Sequence, residues 1–198
     1  LAAWMTYKSA LHEIPFGDIW MRDIAPIFVT SGAGEVAAAS FAFNGWGGKY
    51  DLPGDREVSM RVAKASGLPT FRDELVLEGG SVEPDGEGTL LTTRQCLLNP
   101  NRNPGLTQAA LEARLRDGLG VDSVLWLGDG LINDHTDGHV DTVARFVAPG
   151  VVLCMEPSGG GDPNAFALKE ILRDLAAMRD AKGRKLEVFT VPSPGVVT

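Results

Sequence analysis

Apolar positions along this chain fall into short alternating runs and longer stretches of helical spacing, recurring in the order hairpin, helix, strand. In the first unit, residues 24–29 and 36–43 are expected as strands around the turn Ser31-Gly32-Ala33-Gly34. A helix over about 55–66 should stop at Gly67, a good C-terminal cap, and residues 74–77 close the unit as a strand. The second unit pairs 81–83 with 89–93 across Pro84-Asp85-Gly86. Its helix runs from an N-cap at Thr107 to about Asp117, with Leu111, Leu115 and Leu119 on one face, before a strand over 121–127. In the third, 139–147 pairs with 151–155 across Ala148-Pro149-Gly150. Asp162 is expected to cap a helix that has Pro163 in first position and reaches about Ala181, ahead of a strand over 186–191.

Three units at a spacing of roughly 50 to 60 residues predict an α/β protein built from repeated ββαβ modules. The repeat lies in pattern, since the units share little residue identity.

Composition narrows the partners. The chain carries 26 acidic against 18 basic residues, a net charge of -8, which argues against nucleic acid and anionic membrane. It is compatible with a small cationic substrate. No apolar run approaches the ~20 residues needed to cross a bilayer. The start, Leu1-Ala2-Ala3-Trp4-Met5, followed by Lys8 and Ser9, lacks an export-signal pattern, and a Leu start leads to the expectation that the true N-terminus is absent. Cys96 and Cys154 form no CxxC and no disulfide framework, which favours a reducing cytoplasm.

The unusual polar residues fall at equivalent places in the units. Asp23 precedes the first hairpin, Glu78 with Gly79-Gly80 precedes the second, and His139 with Asp141 opens the third. If the units are blades around an axis, these positions converge on one pocket. His139 and Asp141, two apart on an expected strand, would point to one face. Two carboxylates can hold a planar guanidinium by charge-assisted hydrogen bonds and leave its carbon open to attack. A histidine paired with a third carboxylate can protonate departing ammonia and then take a proton from water. The plainer readings stand beside this: Asp before a strand is commonly a turn residue, Glu-Gly-Gly a loop, and His-x-Asp an exposed polar face.

At these residues the sequence resembles the agmatine deiminase and bacterial-type peptidylarginine deiminase family. The resemblance is carried by Trp20-Met21-Arg22-Asp23-Ile24-Ala25-Pro26, Phe43-Asn44-Gly45-Trp46-Gly47-Gly48-Lys49-Tyr50 and Leu77-Glu78-Gly79-Gly80-Ser81. It extends through Cys96-Leu97-Leu98-Asn99-Pro100-Asn101-Arg102-Asn103-Pro104 and Asp134-His135-Thr136-Asp137-Gly138-His139-Val140-Asp141. It implies a pentein fold, a five-bladed α/β propeller of which residues 1–198 would be a single partial domain of about three repeats. It further implies that Asp23 and Asp141 bind the guanidinium, that Glu78 and His139 are the proton-transfer pair, and that Trp20 and Trp46 flank the substrate's aliphatic stem. Core packing is the competing role for either tryptophan. Arg22, Lys49 and Arg102 are expected in structural ion pairs or hydrogen bonds.

By the same resemblance, no cofactor or metal is needed. The substrate is a guanidine, most readily agmatine going to N-carbamoylputrescine and ammonia through a covalent cysteine intermediate. The family's nucleophilic cysteine is expected beyond Thr198, so the fragment alone would be inactive; Cys96 and Cys154 are expected as buried structural thiols. A homodimer is compatible with the family but is not read from the sequence. Ala25 stands where many relatives have glycine, a change that matters only if the backbone there needs positive φ.

Three alternatives remain. Peptidyl arginine could be the substrate in place of agmatine. Asp134, His135, Asp137, His139 and Asp141 could be a metal-hydrolase cluster. The chain could also bind a guanidine without turning it over.

Overall fold

The computed structural model describes residues 11–196. The N-terminal residues that bear on an export signal, and the last two residues, lie outside this range.

Among the described residues, nine strands form three separate three-stranded sheets, each with the same internal order. The first sheet holds β1 (Ile27–Thr30), β2 (Val36–Ala42) and β3 (Thr70–Val76). The second holds β4 (Val82–Pro84), β5 (Thr89–Thr93) and β6 (Ser123–Leu127), and the third β7 (Ala144–Ala148), β8 (Val151–Glu156) and β9 (Glu187–Pro192). In each, the first two strands are an antiparallel hairpin and the third joins parallel after a helical crossover. The crossover helices are α1 (Asp55–Ser66), α2 (Gln108–Leu119) and α3 (Ala165–Ala177). These are the expected ββαβ modules, three successive blades of a pentein-type α/β propeller in an arc that does not close.

Helix ends follow local chemistry. Gly67 and Gly120 terminate α1 and α2 in the left-handed conformation that glycine adopts without penalty. Thr107 caps α2 by accepting from the Ala110 amide. The third helix departs from expectation. Asp162 spends its carboxylate on the Asn164 and Ser158 amides and the Ser193 hydroxyl, and so builds a turn. As a result α3 starts at Ala165, two residues after Pro163, and ends at Ala177 rather than about 181.

Strand alternation joins the blades. On β5 the neighbours Leu90 and Leu91 point to opposite faces; Leu90 enters a core with Leu111 and Leu115 of α2, and Leu91 one with Leu168, Ile171 and Leu175 of α3. Trp126 and Leu127 on β6 divide in the same way. The middle sheet is therefore covered on both faces, and each buried leucine contributes about 1.5–3 kcal/mol. A third core of Ile24, Phe43, Trp46 and Val58 lies beside the pocket described next.

Candidate active site

Each blade's first strand is preceded by one helical turn, and the singled-out residues sit on those turns. Asp23 lies in the turn Met21–Ile24 ahead of β1. Glu78 leads into the turn Gly79–Ser81 ahead of β4, and His139 into the turn Val140–Thr142 ahead of β7. This corrects one expectation: His139 and Asp141 are not on a strand, and β7 begins only at Ala144. They share a site because a tight 3-10 turn brings them together, with Val140 buried beneath. Two other strands differ likewise, β1 beginning at Ile27 after the helical turn and β3 extending back to Thr70. Ala25 has φ -85° and ψ 163°, an extended conformation open to any residue, so its replacement of glycine has no backbone cost.

Gly80 is the point of closest approach. A side-chain carbon there would lie 2.6 Å from Asp23 Oδ1, 2.6 Å from His139 Nδ1 and 2.8 Å from Asp141 Oδ2. Three side chains from two other blades thus converge on the backbone of residue 80. Gly79 is equally constrained, since its Cβ would meet the Arg22 carbonyl oxygen at 2.1 Å. The Gly79-Gly80 pair exists for this packing.

Asp23 is held at both oxygens: Oδ1 accepts from the Gly80 amide at 3.0 Å and Oδ2 from the Trp46 indole at 3.0 Å. His139 is enclosed, its Nδ1 3.6 Å from Asp23 Oδ1 and its Nε2 3.8 Å from Glu78 Oε2. The latter distance exceeds a hydrogen bond, and both Glu78 Oε2 and His139 Nε2 are buried without a partner. The His139 backbone is set by Asp134, whose carboxylate accepts from the Thr136, Gly138 and His139 amides.

A cavity of about 530 Å³ opens over this group, lined by Trp20, Trp46, Tyr50, Asp23, His139 and Asp141 among others. Five of the six sequence candidates line it. The sixth, Glu78, lies behind His139 and is fully buried. Trp20 is 54% exposed at the rim and Trp46 only 3%, so Trp46 packs in the core and faces the cavity at once.

Electrostatics favour a cation. Burial opposes charge on His139, but Glu78, Asp23 and Asp141 outweigh it and hold its pKa above the ordinary histidine value. Burial, reinforced by Asp23, raises the carboxyl pKa of Asp141 against the pull of His139, Arg22 and Arg145.

The three expected cations find anionic partners: Arg22 pairs with Glu83 at 3.3 Å, Lys49 with Asp137 at 2.6 Å and Arg102 with Glu78 at 2.7 Å. Both cysteines are buried. Burial, with Glu78 adding, pushes the Cys96 thiol far up, and burial pushes the Cys154 thiol up to about 12. Such thiols are poor nucleophiles. The five-residue metal alternative does not assemble: Asp134 serves backbone amides, Asp137 turns to Lys49, Asn101 and Arg102, and the His135 side chain is 63% exposed. Among the described residues, the group of three metal-ligating side chains that does come together is Glu78, Cys96 and His139, with ligand-type atoms within 4.8 Å of one another.

Sequence reasoning did not single out Gly80 and Tyr50 for the site, and it treated Arg102 as a structural cation. The Glu-Gly-Gly run was the available signal for Gly80. Nothing local distinguishes Arg102 from a surface arginine.

These features define a class, a pentein-type α/β protein whose blades meet at an acidic, histidine-centred pocket. The family model of the Porphyromonas-type peptidyl-arginine deiminases matches residues 2–198, and the chain belongs to that family. It is 45% identical over 193 residues to the agmatine deiminase of Ectopseudomonas mendocina, covering 94% of this chain and 52% of that protein. A solved agmatine deiminase from Enterococcus faecalis superposes with a TM-score of 0.88 at 40% identity, covering 92% of this chain and 52% of the other. A Campylobacter jejuni agmatine deiminase C315S variant with substrate bound superposes at 0.83 with 29% identity, covering 94% and 55%. The chain spans about half the length of the curated relatives it matches. No helix among the described residues is long and apolar enough to cross a membrane.

Proposed function

We propose that the protein, together with a nucleophilic cysteine carried outside these 198 residues, hydrolyses a guanidine to a ureido product and ammonia, with agmatine as substrate. The observation that carries this reading is the convergence of Asp23, His139 and Asp141 on Gly80, with Glu78 behind the imidazole. Residues 1–198 are, in this reading, one partial domain whose remaining blades complete the ring.

Asp23 and Asp141 accept N–H bonds from the flat cation and fix its plane. Trp20 and Trp46 line the passage for its aliphatic stem. The thiolate adds to the guanidinium carbon, and the C–N bond to one terminal nitrogen breaks. His139 gives that nitrogen a proton as ammonia departs, leaving an amidino thioether. Water then adds to the same carbon, passing a proton to His139; the C–S bond breaks and the thiolate is restored. His139 Nδ1 is the atom on the pocket side, since Nε2 is turned to Glu78. Glu78 stabilises the imidazolium form, in keeping with the raised pKa of His139.

Agmatine is favoured by the named relatives and by an acidic pocket suited to a small dication. Peptidyl arginine is the competitor, since the matching family is that of the Porphyromonas-type peptidyl-arginine deiminases. Two buried free thiols are compatible with a cytoplasmic location.

The deciding experiment measures ammonia release by the full-length protein from agmatine, free arginine and arginine-containing peptides. Turnover of agmatine well above the peptides is expected. Activity on peptides alone replaces the substrate, and no activity on any guanidine overturns the reading.

A further inference from the structure

We propose that Arg102 is the positioning residue of this site, presenting Glu78 to His139 and binding the three loops that carry the site into one unit. The proposal rests on the deiminase reading above and deepens it.

The Arg102 side chain is wholly enclosed, and each part of its guanidinium has a separate task. Nε donates to Glu78 Oε1 at 2.7 Å. Nη1 donates to Asp137 Oδ2 at 2.7 Å and Asn101 Oδ1 at 2.8 Å, and Nη2 to the Thr136 carbonyl at 2.9 Å. Burying a guanidinium is costly unless paired and hydrogen-bonded, so an arginine here that served only to fill space would be destabilising. The contact with Glu78 is through one donor on one oxygen. A two-pronged fork would occupy both carboxylate oxygens; the single contact orients the group and leaves Oε2 free, facing His139 Nε2. Lysine could not reproduce this geometry, because its charge sits at a point and its donors are not held in a plane.

The same side chain reaches all three blades. Asp137, from the third, accepts from Arg102 and Asn101 of the second and from Lys49 of the first, and takes a left-handed backbone (φ 65°) to do so. These donors overcome the cost of burial and draw the Asp137 carboxyl down to about 2, so it stays charged throughout the working pH range. Gly47, next to Trp46, packs on the guanidinium: a Cβ there would lie 2.5 Å from Arg102 Nη1. One arginine therefore touches the loop of the pocket tryptophan, the carboxylate behind the histidine and the loop leading into His139.

Arg102, His139 and Cys96 face Glu78; Asp23, Glu78, Asp134 and Asp141 face His139; Glu78, Asp137 and Cys96 face Arg102. Arg102 is thus the cation that holds the Glu78 carboxylate in place, and the carboxylate so placed favours the imidazolium of His139. With the arginine gone, the enclosed carboxylate loses the donor that aims Oε2 at the imidazole, and His139 loses a well-placed anionic partner.

The test uses the full-length protein with R102Q and R102K, following agmatine turnover and, separately, the His139 titration by NMR of the imidazole. Expected for R102Q is a fall in kcat of about 100-fold or more with KM changed less than about threefold, the signature of a loss confined to the chemical step. The His139 midpoint should move down, which loss of packing alone would not produce. R102K should fall in between. Wild-type turnover combined with R102Q kcat within about threefold of wild type and an unmoved His139 midpoint overturns the proposal. Absence of turnover in the wild type sinks the deiminase reading instead, and the His139 titration still tests Arg102. Should R102Q fail to fold, wild-type kcat in R102K is enough to overturn it.

Discussion

The indole nitrogen of Trp46 donates to Asp23 Oδ2 at 3.0 Å, so a residue of the hydrophobic core aims one of the pocket's carboxylates. To make that bond Trp46 adopts a left-handed backbone, φ 51° and ψ 51°, uncommon for so large a residue, between two glycines that also have positive φ. Its ring packs edge-on to Phe43 with centroids 4.8 Å apart. A strained backbone at a cavity-lining residue, held by packing on one side and a hydrogen bond on the other, fits a pocket whose shape is set by the fold.

Trp46→Phe should therefore separate the two roles. Phenylalanine keeps most of the packing and loses the donor, so Asp23 is less firmly oriented; KM for agmatine should rise by roughly five- to twentyfold with the chain still folded. Trp46→Ala should in addition cost about 3–5 kcal/mol of stability. Steady-state kinetics beside denaturant unfolding distinguishes these; an unchanged KM in Trp46→Phe would falsify the aiming role.

Gly80→Ala should remove activity. An added methyl group meets Asp23, His139 and Asp141 at 2.6–2.8 Å, and these must move apart. Overpacking of this kind costs about 1–3 kcal/mol, while loss of alignment by even ~1 Å can cost about 100-fold in rate. Gly32→Ala is the control, since nothing lies within 4 Å of the added carbon. If the two variants turned over agmatine equally well, Gly80 would not be the packing centre of the site.

The raised pKa of His139 has a defined sign in stability. The folded protein binds the His139 proton more tightly than the unfolded chain does. The contribution is fully present below the unfolded histidine value, about 6.5, and is lost as pH rises through the higher folded value. His139→Asn should flatten that part of the stability–pH curve, followed by chemical denaturation at stepped pH. A wild-type curve that instead rises across this window would contradict the raised value.

Neither cysteine in the chain should be needed for turnover. Cys96→Ala and Cys154→Ala in the full-length protein should retain kcat within about threefold and lose about 1–2 kcal/mol of stability from the vacated space. Loss of the covalent intermediate in Cys96→Ala, read by mass spectrometry of trapped enzyme, would show that the nucleophile had been assigned to the wrong part of the protein.

Leu115 of α2 is fully buried among residues from the first and second sheets. Leu115→Ala should cost about 2–5 kcal/mol and loosen two blades together. Native-state hydrogen exchange should show β3 and β6 losing protection in parallel; loss confined to one sheet would argue against a shared core.

Much of the fold could be read along the chain because its cause is local. Strand alternation, glycine at the helix ends and the Thr107 cap act through neighbours a few residues apart, and they define three ββαβ units whatever surrounds them. The equivalent placement of Asp23, Glu78 and His139 before each first strand was likewise visible as spacing. The sequence could not reveal contacts whose energy exists only when the blades meet. Asp162 turned away from capping α3 because Ser193 arrives from thirty-one residues further on. His139 and Asp141 came together through a 3-10 turn pinned by Asp134 rather than through strand geometry. Arg102 looks like any arginine until Glu78, Asp137 and Thr136 close around it. A charge is tolerated in an enclosed place only when partners from distant segments meet it there, and such meetings are decided by tertiary packing.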